Sequence, residues 1–465
     1  MTATRMNVSN HIYNVLDDLK IEIDVFHNPY NFKMIDLFKM ATRINKKRNF
    51  LFVSTVLGKH LAVDPKIPIL TGNLLANQYI EQVHGQNNTH AKKIAEIIKS
   101  GENATELFQL VRQNPIQAPN PITIIGFAET ATALGHAVFS SFEQDVKYIH
   151  TTRETINEVD SIINFEEEHS HASSHRVYAD DLNFFNDDRE IVLVDDEITT
   201  GKTAINIIRK IKSVYPSKKV FTVVSILDWR TPEYRTRYRQ LEEELGITIH
   251  TVSLVEGSLT VTGQPDVNHE EKKAVYTAYT DPHISTISVR DYIKHNHMKY
   301  LTSNHIDGSY NTAPYLQATG RFGLQIEEEK RMSSVLEDIG SFLTSQRKGK
   351  KTLVIGTGEF MYIPMMIASY MGENVYFQST TRSPIYSVTK ETYPIFNKFC
   401  FESTENKGIV NFLYNIEALQ YDEMFIFTER NTSNHSLDSL LAELKQTQIP
   451  MIHIVDMTGT QSQSD

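Results

Sequence analysis

The sequence predicts an α/β protein made of two parallel, doubly wound sheet units in tandem. Three observations carry this. Short apolar or β-branched runs alternate with stretches of helical spacing, and the runs end in glycine or polar turns, the order a parallel sheet requires. The pattern then echoes itself: IIGFAETATALGHAVF followed by YIHTTRETI in the first half, and GTGEFMYIPMMIASYMG followed by STTRSPIY in the second. From Gly126 to Arg153 is 27 positions and from Gly356 to Arg382 is 26. Finally, 465 residues exceed what one core holds.

Composition excludes several classes. The chain is 40% hydrophobic and 22% charged, ordinary for a globular protein. With 57 acidic against 46 basic residues its net charge is −11, which argues against nucleic acid as main partner and leaves a small anionic substrate needing only a local basic pocket. Cys400 is the single cysteine, so no intrachain disulfide forms and a reducing compartment fits. No apolar run approaches the roughly 18 residues of a membrane span, and MTATRMNVSN lacks a signal-peptide core. A cytoplasmic protein is expected.

Along the chain, residues 1–60 mix amphipathic helical pieces with a basic segment at 43–48 and the apolar run 50–53. STVLGKH follows as a polar turn in which Lys59 either holds an anion or is simply solvated. The strand at 121–126 leads through Glu129, Thr130 and Thr132 into a helix whose Ala131, Ala133, Gly135 and Ala137 let it lie close on the sheet. A third strand, 146–150, ends in Thr151, Thr152 and Arg153. The polar stretch FEEEHSHASSHRVYADD reads as a loop. Its Glu168, His169, His171 and His175 are candidates for proton donation, substrate contact or metal binding, with a solvated loop as the plain alternative.

The most informative stretch is IVLVDDEITTGKT, 191–203. A buried strand ends in Asp195 and Asp196, two anionic acceptors suited to the paired 2′ and 3′ hydroxyls of a ribose. Thr199, Thr200, Gly201, Lys202 and Thr203 then open a helix, with hydroxyls and backbone N–H groups that suit a phosphate. Glu197 leaves open a further polar contact to the ribose or a metal. A Walker A reading fails on spacing, since its first glycine would fall on Asp196. Beyond it, 220–227, 247–254 and 259–261 read as strands closing the first unit. Trp229 either stacks on a base or packs half-buried. Residues 263–324 read as a linker with docked structure. In the second unit Thr428, Glu429 and Arg430 stand where the acidic pair would be, so that copy is not expected to bind the same ligand. Its Gly356, Glu359, Thr381, Arg382 and Ser383 are expected at strand ends on one sheet edge, a separate site for an anionic or nucleotide-like ligand.

VDDEITTGKT resembles the PRPP-binding motif of type I phosphoribosyltransferases, with Glu197 standing where the family usually has an apolar residue. LFVSTVLGKH, GFAETATALGH, EEEHSHA, GRFG, GTGEFMY and STTRSPI extend the resemblance over most of the chain. They resemble an orotate-phosphoribosyltransferase-like domain followed by a TRSP domain, of the kind associated with tellurite-resistance and stress operons. The resemblance implies a phosphoribosyltransferase-like parallel-sheet domain at 1–262, a linker at 263–324 and a second, similar α/β domain at 325–465. It implies a Mg²⁺-dependent phosphoribosyltransferase acting on PRPP and an unidentified base or small acceptor in nucleotide or nucleoside-like metabolism; the alternative is a non-catalytic PRPP sensor. Asp195 and Asp196 would hold the ribose and meet Mg²⁺ indirectly, and 199–203 the 5′-phosphate. Lys59, Glu129, Thr130 and Thr132 would face pyrophosphate, and the histidine-rich loop would close as a lid. Assembly as a homodimer or with an operon-partner protein is left open; neither nucleic acid nor membrane is expected as a partner.

Overall fold

The computed structural model describes residues 8–16, 18–45, 48–87, 90–166, 174–265, 281–293, 297–430 and 436–458. The chain enters as strands, not as the helical pieces expected. β1 (Ser9–Asn14) and β2 (Lys20–His27) pair antiparallel. In KIEIDVFH the side chains of Ile21, Ile23 and Val25 are buried while their neighbours face outward, the period of two that belongs to a strand. The short α1 (Met34–Leu37) leads to a second antiparallel pair, β3 (Phe38–Thr42) with β4 (Phe50–Ser54). Three helices follow: α2 (Lys66–His84), α3 (Ala91–Ser100) and α4 (Ala104–Gln113).

The first sheet unit then runs β5 (Ile122–Gly126), α5 (Ala131–Phe139), β6 (Val146–His150), the hairpin β7 (Ile163–Glu166) with β8 (Ser174–Val177), β9 (Glu190–Ile198), α6 (Lys202–Val214), β10 (Val220–Asp228), α7 (Pro232–Leu245) and β11 (Thr248–Thr262). Its parallel centre has the order β11-β10-β9-β5-β6. Ile191, Val192, Leu193 and Val194 are all fully buried, as a strand covered on both faces requires. Trp229 is fully buried, its ring stacked on Phe52 at 5.7 Å and edge-on to Phe38 at 6.0 Å, so it packs β10 against the β3–β4 hairpin and offers no face to a base.

Residues 263–324 are more than a linker. β12 (His283–Ser288) is a strand of the second sheet. Two small ladders follow, β13 (Met298–Lys299) with β16 (Tyr315–Leu316) and β14 (Ser303–Asn304) with β15 (Tyr310–Asn311). β17 (Leu324–Gln325) then joins the edge of the first sheet, antiparallel to β6. The second unit continues with α8 (Ile326–Gln346), β18 (Thr352–Gly356), α9 (Tyr362–Tyr370), β19 (Val375–Ser379), the hairpin β20 (Lys398–Glu402) with β21 (Val410–Tyr414), β22 (Glu423–Thr428), α10 (Asp438–Leu444) and β23 (Met451–Asp456).

The second sheet, β12-β23-β22-β18-β19, is all parallel and reproduces the order β11-β10-β9-β5-β6 strand for strand. Each copy places a hairpin after the equivalent strand, β7–β8 after β6 and β20–β21 after β19. The one exchange is at the edge, where β12 reaches its place from before the sheet and β11 from after it. The two units pack through α5 and α9: the His136 ring stacks on Tyr362 at 3.6 Å, and both side chains bond the buried Glu329, at 2.9 and 3.0 Å. Residues 58–63 pair with β19, Ser379 N–H donating to the Gly58 carbonyl (2.8 Å) and Phe377 exchanging bonds with Val63 (2.8 and 3.0 Å).

Candidate functional site

β9 runs on past its apolar run IVLV, and its ladder with β10 continues through Asp195 opposite Ser225, Glu197 opposite Leu227 and the buried Ile198 opposite Asp228. The acids therefore stand on rigid backbone at the carboxyl end of a central strand, where open α/β sheets bind ligands. They line a cleft of about 170 Å³. Glu129, Thr130 and Arg153 from the ends of β5 and β6 form another wall, and Arg43, Arg48, Phe52 and His60 a third. Open grooves of 670 and 750 Å³ lie elsewhere, around α7 and around β1 and β3, away from the acidic strand end.

Asp196 N–H donates to Asp195 Oδ1 at 3.0 Å. Burial raises the pKa of Asp196, against the pull of its hydrogen bonds and of Arg48. Burial also raises Glu197, although it forms an ion pair with Arg48. Glu197 thus anchors Arg48 in the cleft wall. At Gly201 φ is +73° and a Cβ would sit 2.7 Å from Tyr238 Oη, so glycine alone fits this turn into α6. Thr199, Thr200, Lys202 and Thr203 share this strand end but do not line the walls of the cleft itself. The Lys202 N–H donates to Thr200 Oγ1 at 3.3 Å.

Other expected residues fall differently. Lys59 does not open on the cleft: its side chain is 2% exposed, its Nζ lies 3.0 Å from Glu129 Oε1, and burial lowers its pKa despite the Glu129 charge. It holds Glu129 in place. Burial favours the neutral acid at Glu129, yet Lys59, Arg382 and Arg153 outweigh it and keep the carboxylate charged. Thr132 is buried and bonds the Glu129 carbonyl through Oγ1 at 2.9 Å, bracing the turn. His175 is buried, with its ring stacked on Phe165 at 5.1 Å and its Nδ1 2.9 Å from Thr151 Oγ1; it packs beneath the site and lines no part of it. Glu168, His169 and His171, with most of the expected lid, lie outside the described residues. His60, read only as part of a turn, borders the cleft; burial holds its pKa down at about 3, so it is a neutral imidazole.

The separate second-unit site does not assemble as expected. Thr381, Arg382 and Ser383 line the first cleft beside Asp195 and Asp196. Gly356 and Glu359 stay behind at the end of β18. There Glu359 accepts from Thr152 Oγ1 at 2.7 Å and from the Arg153 N–H at 3.1 Å. The place beside Glu359 is filled by Arg321 from the GRFG segment, whose guanidinium lies 3.4 Å from Glu359, 3.3 Å from Glu429 and 3.6 Å from Glu154. Among the described residues no group of His, Cys, Asp and Glu side chains is arranged to hold a metal by itself.

An acidic pair at a central strand end, followed by a threonine–glycine turn into a helix, is the architecture of a phosphoribosyltransferase. Residues 37–258 match the family described as phosphoribosyl transferase, and residues 318–444 match the TRSP domain found C-terminal to it; the chain carries a phosphoribosyltransferase domain followed by a TRSP domain. Similar solved structures include adenine phosphoribosyl transferase from Trypanosoma brucei, at 13% identity over 50% of this chain and 82% of that one, TM-score 0.28. The adenine enzyme from Rhodothermus marinus shows 15% identity over 33% and 81%, TM-score 0.22. A hypoxanthine phosphoribosyltransferase from Staphylococcus aureus shows 12% over 38% and 73%, TM-score 0.20. No curated protein matches significantly.

Proposed function

We propose that the protein transfers ribose 5-phosphate from PRPP to an unidentified base or small acceptor, forming the N-glycosidic bond of a nucleotide-like product. The observation that carries this is Asp195 and Asp196 near the carboxyl end of β9, lining the cleft a few residues before the 199–203 turn. The two carboxylates accept the ribose 2′ and 3′ hydroxyls, and the turn with the start of α6 takes the 5′-phosphate. Glu129 and Thr130 stand toward pyrophosphate, and Arg43, Arg48 and Phe52 wall the acceptor side. C1–O bond breakage leaves the electron pair on pyrophosphate while the acceptor nitrogen bonds C1 and gives up its proton to the departing pyrophosphate or to water. The protein's share is positioning and electrostatic stabilisation.

The all-oxygen donor set at Asp195 and Asp196 would suit Mg²⁺ brought in with PRPP. When bound, it supplies positive charge to the leaving pyrophosphate. Calorimetry with PRPP and Mg²⁺, followed by pyrophosphate release assays over a panel of purine, pyrimidine and other heterocyclic acceptors, tests the reading. Binding with turnover of at least one acceptor is expected; a folded protein that neither binds nor consumes PRPP would reject it.

A further inference from the structure

The two halves exchange corresponding turns. Thr151 N–H bonds the Gly126 carbonyl (2.9 Å) as Thr380 N–H bonds that of Gly356 (3.0 Å). Ala128 N–H donates to Thr151 Oγ1 (2.8 Å) as Gly358 N–H donates to Thr380 Oγ1 (2.9 Å). Glu129 thus corresponds to Glu359, and Arg153 to Arg382. Each glutamate meets the other half's arginine: Arg153 N–H donates to Glu359 at 3.1 Å, and Arg382 N–H reaches Glu129 at 3.5 Å. The outcomes differ. Beside Glu359 the chain fills the space with the Arg321 guanidinium; beside Glu129 a cleft stays open.

We propose that Arg382, carried by the C-terminal unit, is a phosphate-binding residue of the transferase cleft and with Ser383 grips the pyrophosphate end of PRPP. This rests on the PRPP reading above. The turn is built to hold one position: Ile44 N–H donates to the Pro384 carbonyl (2.9 Å), Tyr414 Oη donates to the Ser383 carbonyl (2.7 Å), and Ile385 N–H donates to Tyr414 Oη (2.9 Å). Two neighbouring cations are already committed inside the protein, Lys59 to Glu129 and Arg48 to Glu197. The Arg382 guanidinium, half-buried on the cleft wall, makes no hydrogen bond or ion pair among the described residues. A planar fork of five donors directed to no protein acceptor suits the paired oxygens of a phosphate. Its backbone lies at the Glu129 end of the cleft, the end assigned to pyrophosphate, while Asp195 and Asp196 take the sugar.

The full chain, with Mg²⁺, is titrated in a calorimeter separately with PRPP, pyrophosphate and ribose 5-phosphate, as the unaltered protein and as Arg382→Ala and Arg382→Lys. Arg382→Ala is expected to weaken PRPP and pyrophosphate by about tenfold or more, the scale of a charge-assisted pair, and to leave ribose 5-phosphate within about twofold. Arg382→Lys, which keeps charge and loses the fork, should recover part of the affinity. Unchanged pyrophosphate affinity in Arg382→Ala overturns the proposal alone. So does an equal loss for all three ligands with a lowered melting temperature, which marks a structural role. If the unaltered protein binds none of the three, the PRPP reading falls and the proposal with it.

Discussion

At the scale of single residues, the acids of β9 have a role that packing does not require. Asp195, Asp196 and Glu197 are half-buried near a strand end, between the core residues Val194 and Ile198. Asp195→Asn with Asp196→Asn is therefore expected to abolish PRPP binding in calorimetry while the melting temperature stays within a few degrees; unchanged affinity would remove the sugar site. Glu405 offers a pH test. Burial, then the Glu429 and Glu154 charges, push its pKa from 4.5 up to about 8, and it accepts from Thr357 Oγ1 at 2.8 Å. The folded protein holds this proton more tightly than the unfolded chain, so stability falls as pH rises from about 4.5 through about 8. Glu405→Gln keeps an acceptor for Thr357 and lacks the titration. Its melting temperature should exceed that of the unaltered protein by several degrees near pH 9 and by little near pH 5; an advantage independent of pH would contradict this. The acidic pair was legible in the sequence because strand, acids and turn are contiguous. The place of Lys59 was not, since its partner Glu129 is distant in sequence and only the fold turns the ammonium inward.

At the scale of elements, legibility followed burial. Central strands such as IVLV and LVIG, covered on both faces, read as apolar runs. β12, HISTIS, is an edge strand with largely exposed side chains, so no hydrophobic pattern marks it, and 263–324 read as a linker. The consequence is testable. A fragment 325–465 lacks β12 and leaves β23 with an unpaired edge, a template for aggregation. It is expected to be insoluble or to elute as large aggregates in size-exclusion chromatography, while a fragment 281–465 should be markedly more soluble. Equal, monodisperse behaviour of the two would show that β12 is dispensable to the second sheet.

At the scale of the whole molecule, the internal echo was visible as matched glycine-to-arginine spacings, but how the halves meet was not, because no local pattern encodes the docking of surfaces hundreds of residues apart. That docking decides which cleft is open, and Gly58 lies in the contact between the units. Its φ is +67°, its carbonyl accepts from Ser379 N–H, and a Cβ there would lie 2.7 Å from Phe377 Cδ1 and 3.0 Å from the Phe377 carbonyl. Gly85 has nearly the same φ, +69°, with nothing within 4 Å of its Cβ. Alanine at either position strains the backbone, but only at Gly58 must the second unit also move. Gly58→Ala is thus expected to cost about 1 to 3 kcal/mol more than Gly85→Ala in denaturant unfolding, the usual penalty of overpacking. Because β19 carries the turn with Arg382, the displacement at Gly58 should also weaken PRPP binding, whereas Gly85→Ala should leave it unchanged. If the two variants lose equal stability and bind PRPP alike, the 58–63 segment does not set the position of the second unit, and the geometry of the shared cleft must come from the other contacts between the units, such as α5 with α9 and Ile44 with Pro384.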